Sequence, residues 1–66
     1  MVSALRLERV IKEMTQTELA RRTGIPQWRI SLVERGKQPS LAEVKAIATA
    51  LGVSPADLFP AQETQL

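Results

Sequence analysis

The sequence predicts an all-α fold, a compact five-helix bundle, and three observations predict it. Apolar residues recur at spacings of three and four along most of the chain, the period of one helix face. No stretch alternates with the period of a strand, and β-branched and aromatic residues never cluster. The glycines, Gly24, Gly36 and Gly52, each stand where a periodic stretch stops, the place for a left-handed residue that ends a helix.

The first helix is expected from about Ser3 to Glu13. Leu7, Val10, Ile11 and Met14 follow the i, i+3, i+4, i+7 pattern and form its expected inner face, with Leu5 flanking. Thr15 is a good N-cap for a second helix from Gln16 to Thr23, and Glu18, three residues on, completes a capping-box pattern. Leu19, Ala20 and Thr23 make its inner face, and Gly24 ends it. The third helix starts near Pro26, because a first helical turn has no use for the N–H that proline lacks, and it ends at Gly36. Pro39 then breaks the chain. Ser40 with Glu43 is a second capping box, opening a helix from Leu41 to Leu51 with Leu41, Val44, Ile47, Ala48 and Leu51 inward, and Gly52 stops it. Ser54-Pro55-Ala56-Asp57 opens a short last helix with Leu58 and Phe59, and Pro60 closes it. Residues 1–60 thus read as one domain and residues 61–66 as a flexible C-terminal tail.

Composition narrows the function. Sixty-six residues make one small domain whose core is near the lower limit for independent stability. Cysteine and histidine are absent, which excludes disulfides and removes the thiolate and imidazole ligands of most metal sites. No metal and no cofactor is expected. No apolar run approaches the ~20 residues of a membrane span. The N-terminus lacks the apolar core of a secretion signal, so the expected location is cytoplasmic. Seven carboxylates are present, but no histidine or cysteine stands ready as base or nucleophile, and no glycine-rich phosphate loop exists. A core this small hardly forms a catalytic cleft, so no enzyme is expected. The net charge of +2 is modest. Its distribution says more: Arg21, Arg22, Arg29, Arg35 and Lys37 fall within seventeen residues, against Glu18 and Glu34. A locally positive face suits a phosphate backbone, although an ordinary solvated surface has the same composition.

The second and third helices, joined by a tight turn at Gly24, carry the strongest signal. In the third, Ile30 and Val33 suffice to anchor the helix, yet it also bears Gln27, Trp28, Arg29 and Leu32. A helix that packs on one side and presents large side chains on the other fits the major groove of DNA. Gln27 offers a donor and an acceptor together, the pair that adenine N6 and N7 require. Trp28 and Leu32 lie four apart and share a face, where they suit thymine methyls or an apolar patch on a protein partner.

These residues carry a family resemblance. Met14-Thr15-Gln16-Thr17-Glu18-Leu19-Ala20, Thr23-Gly24-Ile25, Ile30-Ser31-Leu32-Val33-Glu34-Arg35-Gly36-Lys37, Pro39-Ser40, Ala50-Leu51-Gly52-Val53-Ser54 and Leu58-Phe59 follow in order at fitting separations. Over about Leu5 to Phe59 the chain resembles the helix-turn-helix DNA-binding proteins of the phage repressor and Cro type. It departs from their pattern at Glu8, where relatives often carry an apolar residue, and at Pro26, where many carry serine or threonine. Its Gly36-to-Ser40 loop is also about one residue short of a common form.

The resemblance implies a lambda-repressor-like bundle with helices two and three as the helix-turn-helix. It implies base contacts from Gln27, Trp28 and Leu32, with Arg29 beside them, and phosphate contacts from Gln16, Thr17, Arg22, Arg35, Lys37 and Gln38. It also implies a partly buried ion pair between Arg9 and Glu34. The implied function is sequence-specific binding of double-stranded DNA by a repressor-like transcriptional regulator, a homodimer on an inverted-repeat operator. Within the class, a DNA-binding antitoxin or a restriction–modification controller is the alternative. From another class, the alternative is a protein-interaction module that keeps the fold without binding DNA and uses Trp28 and Leu32 as its patch. A ligand-sensing repressor is not expected unless this is a fragment of a longer chain.

Overall fold

The computed structural model describes residues 3–59. It is built from five helices: α1 (Ala4–Ile11), α2 (Gln16–Thr23), α3 (Gln27–Glu34), α4 (Leu41–Leu51) and α5 (Pro55–Leu58). No strand forms among the described residues. The expected closure at Pro60 and the tail at 61–66 lie outside them.

Side-chain oxygens set most of the helix starts. Ser3 Oγ accepts from the Arg6 N–H at 3.1 Å and Thr15 Oγ1 from the Glu18 N–H at 3.0 Å. At α2 only this half of the expected capping box forms, because the Glu18 carboxylate turns instead to Arg21 at 2.6 Å and Arg22 at 2.7 Å. At α4 the box closes both ways, Glu43 N–H to Ser40 Oγ at 3.1 Å and Ser40 N–H to Glu43 Oε1 at 2.8 Å. At α5 the Ser54 N–H donates to Asp57 Oδ2 at 3.2 Å. Pro26 precedes α3 rather than opening it. Its ψ of 146° is extended, and its carbonyl accepts from the N–H groups of Arg29 and Ile30. Gly24 ends α2 at φ 78°, and the N–H it presents closes on the Ala20 carbonyl at 2.9 Å.

α2 packs against α3 and α4, and α5 packs against α1 and α4. Leu5, Leu19, Ile30 and Ile47 are the largest fully buried side chains, one from each of the four longer helices. Ile25, Val33, Ala48, Leu51 and Leu58 complete the core, with Met14 and Phe59 packed against it. Each such leucine, isoleucine or valine removed from water stabilises by about 1.5–3 kcal/mol. That sum has to outweigh the ordering of the chain.

The register of α1 differs from the expectation. Leu5 is 1% exposed, whereas Leu7, Val10 and Ile11 are 53%, 55% and 61% exposed. The helix is rotated by roughly half a turn from the one the apolar spacing favours. The cause is polar. Arg9, one turn after Leu5, is drawn inward to Glu34 and to the Met14 carbonyl, and this fixes which face looks in. α1 also stops at Ile11, and the chain turns through Glu13 at φ 55° before α2 begins. Leu41 is a second correction, 68% exposed rather than inward. It is the first residue of α4, one turn ahead of Val44, beyond the edge of the core.

Candidate nucleic-acid interface

α3 is anchored from within and leaves one side open. Ile30 and Val33 are 0% and 4% exposed. Gln27 is exposed, Trp28 is 66% exposed, and Leu32 is half-buried. α3 therefore presents Gln27 and Trp28 on an exposed face, with Leu32 as its inner edge. Gln27 is held before any partner arrives: Thr17 Oγ1 donates to its Oε1 at 3.3 Å. That bond ties the start of α2 to the start of α3. It also fixes the side-chain amide so that its NH2 is the end left to donate.

Arg29 is spent on the fold. Its Nε donates to Glu43 Oε2 at 2.8 Å, and its Nη2 reaches both Glu43 Oε1 at 2.9 Å and the Gln38 carbonyl at 3.1 Å. This two-pronged pair leaves both side chains only 20% exposed. Arg29, first among the causes, and then the Ser40 N–H hold the Glu43 carboxyl down to about 2. Glu43 thereby caps α4 and secures α3, while Arg29 fixes the loop at Gln38. Arg29 thus ties α3 to the start of α4. Sequence reasoning missed this role because its partner stands fourteen residues on.

The Arg9–Glu34 pair is present as expected. Arg9 Nε donates to Glu34 Oε2 at 2.6 Å and Nη2 to Oε1 at 3.3 Å, while Nη1 donates to the Met14 carbonyl at 2.8 Å. Gln16 adds a bond from Nε2 to Glu34 Oε1 at 3.1 Å. The two side chains are 12% and 5% exposed. Gln16 is thus half-buried and braced by the end of α3, at the N-terminus of α2 where backbone donors face outward.

The remaining cations divide into two groups. Arg21 and Arg22 share the Glu18 carboxylate, and Arg21 first, then Arg22, hold that carboxyl below its ordinary range. Both arginines remain exposed, so this surface pairing is weak and open to exchange for a phosphate. Arg35 and Lys37 are exposed beyond the end of α3, with Arg35 Nε donating to the Ser31 carbonyl at 3.3 Å. Gln38 is exposed beside them, its carbonyl taken by Arg29. A hollow of about 480 Å³ lies between α1, α2 and α3, lined by Ser3, Arg6, Gln16, Ser31 and Arg35 and by the Arg9–Glu34 pair. Arg6 and Arg35 both line it. Arg6 was missed from sequence, since a lone arginine in a first turn gives no signal until the rotation of α1 is known.

Among the described residues no group of acidic side chains is arranged to hold a metal ion. No helix there is long and apolar enough to cross a membrane. What the arrangement offers is a row of donors and cations around an exposed helix face, the chemistry of base edges and phosphates.

The sequence profile of the helix-turn-helix family matches residues 5–58, four-fifths of the chain and all five helices. No curated protein and no solved structure matches the chain.

Proposed function

Because the chain belongs to the helix-turn-helix family of DNA-binding transcriptional regulators, we propose that it binds duplex DNA sequence-specifically with α3 in the major groove. Gln27 and Trp28 read base edges, and Leu32 closes the contact against a thymine methyl. Gln16, Thr17, Arg35, Lys37 and Gln38 hold phosphates on either side, with Arg22 joining when it leaves Glu18. The observation that carries this reading is α3 itself. A helix whose Ile30 and Val33 are buried leaves an amide and a tryptophan, 66% exposed, side by side on its outer face.

The proposed form is a homodimer on an inverted-repeat operator in the cytoplasm, acting as a repressor by occupying the site. A single helix of eight residues contacts too few base pairs to be both tight and selective. The protein measures 32 × 22 × 20 Å. Two copies abreast therefore suit half-sites one helical turn, about 34 Å, apart.

The test separates reading from holding. Binding to a selected operator and to a scrambled duplex is measured at two salt concentrations. Gln27→Ala is expected to cost about 1–3 kcal/mol on the operator and little on the scrambled duplex. Lys37→Ala is expected to weaken both alike and to lower the salt slope by about one per half-site. Equal losses on both duplexes from both variants would mean that α3 does not read bases. Failure of the wild-type chain to bind any duplex at low salt would favour the protein-interaction module.

A further inference from the structure

The outer face of α1 has no role in the core and none in the groove contact. Leu7, Val10 and Ile11 lie there together, each more than half exposed. Their direction is about 180° from that of Leu5 and Arg9, so they point straight away from the bundle. Three large apolar side chains on one short helix form a patch that a small monomer has no reason to keep in water.

The charges around the patch identify what covers it. Arg6 in the first turn and Glu13 just past the last are both exposed, and neither makes an ion pair among the described residues. Glu8 precedes Lys12 by one turn and is joined to it at 3.5 Å. Two copies of α1 laid antiparallel bring Arg6 against the partner's Glu13 and Glu8 against the partner's Lys12. Both pairs place the two-fold axis beside the same point, residues 9 to 10, and Val10 is the patch residue there. A face whose charges pair with those of a reversed copy of itself suits an isologous contact.

We infer that the Leu7–Val10–Ile11 face of α1 is a self-association surface, joining two copies of this chain antiparallel with Val10 at the two-fold axis. The inference rests on the dimer in the function proposed above and names its interface. The face buries on the order of a few hundred Å² per copy, less than a stable dimer needs, so the association is weak in free solution. DNA binding then strengthens it, because two half-sites held on one duplex raise the effective concentration of the partners.

The experiment uses the whole chain without DNA, so its outcome is independent of whether α3 reads bases. Sedimentation equilibrium at high protein concentration is expected to show the mass rising from the 7.3 kDa monomer towards twice that value. Val10→Glu is expected to weaken the dimer at least tenfold. Arg6→Glu and Glu13→Arg are each expected to weaken it, and the double variant to restore it. All of these positions are exposed, so thermal melts should match wild type. A second measurement needs no concentration limit. The chain has no cysteine, so Val10→Cys under mild oxidation should give a disulfide dimer, while the exposed control Thr49→Cys should not. A wild-type chain that stays monomeric throughout, with Val10→Cys no faster than the control, overturns the inference and gives the face to a different protein. So does a double charge variant that fails to restore association.

Discussion

Replacing Arg9 by methionine tests the rotation of α1 and the network at the end of α3 together. In the intact protein the Glu34 carboxylate, 5% exposed, accepts from Arg9 Nε at 2.6 Å, Arg9 Nη2 at 3.3 Å and Gln16 Nε2 at 3.1 Å. The last arginine nitrogen satisfies the Met14 carbonyl at 2.8 Å. Methionine fills similar space and supplies none of these donors. The carboxylate keeps only the Gln16 amide, and the Met14 carbonyl loses its donor. Stranding a charge in a sealed interior costs about 3–5 kcal/mol. Here the hollow of about 480 Å³ beside the pair admits water, so the expected loss is roughly 2–3 kcal/mol. A domain of this length has about 3–10 kcal/mol of stability in all. The melting temperature is therefore expected to fall by roughly 10–20 °C. Combining Arg9→Met with Glu34→Leu removes both charges and should recover more than half of the loss. Circular-dichroism melts of wild type, both single variants and the double decide it. Singles that cost almost nothing, or losses that simply add, would mean that the two side chains do not meet and that α1 is rotated differently.

Three further outcomes are expected. The Glu43 carboxyl is held at about 2 against an ordinary 4.5. Its stabilisation is therefore fully present above the unfolded value and is lost as pH falls towards 2. Glu43→Gln should lower stability at neutral pH and flatten the acid limb of a melting-temperature profile, and an unchanged limb would show that Arg29 does not hold this carboxylate. Gly24→Ala meets no atom within 4 Å, so its cost is that of a left-handed alanine at φ 78°, about 1–2 kcal/mol. A loss near zero in chemical denaturation would mean that the turn after α2 has another shape. Trp28, the single tryptophan, should shift its emission to the blue and gain protection from acrylamide on operator binding. Unchanged emission at saturation would remove it from the contact.

The sequence made α2 and α4 legible because their signals are local. Thr15 and Ser40 cap them, Gly24 and Gly52 end them, and both runs match the expected residues. α1 was misread because apolar spacing weighs only the number of large side chains on a face. Leu7, Val10 and Ile11 outnumber Leu5, yet the face that turns inward is held by one leucine and one arginine. The corrective was within reach, since the family pattern already paired Arg9 with Glu34. An inward Arg9 brings Leu5, four residues earlier, with it and sends the other three outward. The exposed face at Gln27 and Trp28 followed from the surplus of large residues on α3. The commitment of Arg29 to Glu43 did not, because a contact fourteen residues apart has no trace in local spacing.

The division of labour within α3 makes the helix an exchangeable part. Arg29, Ile30, Val33 and Glu34 face inward or sideways and carry its attachment, while Gln27 and Trp28 carry none of the core. In the proposed function, substitutions at those two outward positions change which base edges the helix prefers without drawing on the protein's stability. A new target preference can therefore arise in one or two steps that leave the melting temperature where it was. Thr17 is the one residue that must follow, since its hydroxyl is bonded to Gln27. Retargeting at position 27 is then a two-residue problem, and at position 28 a one-residue problem.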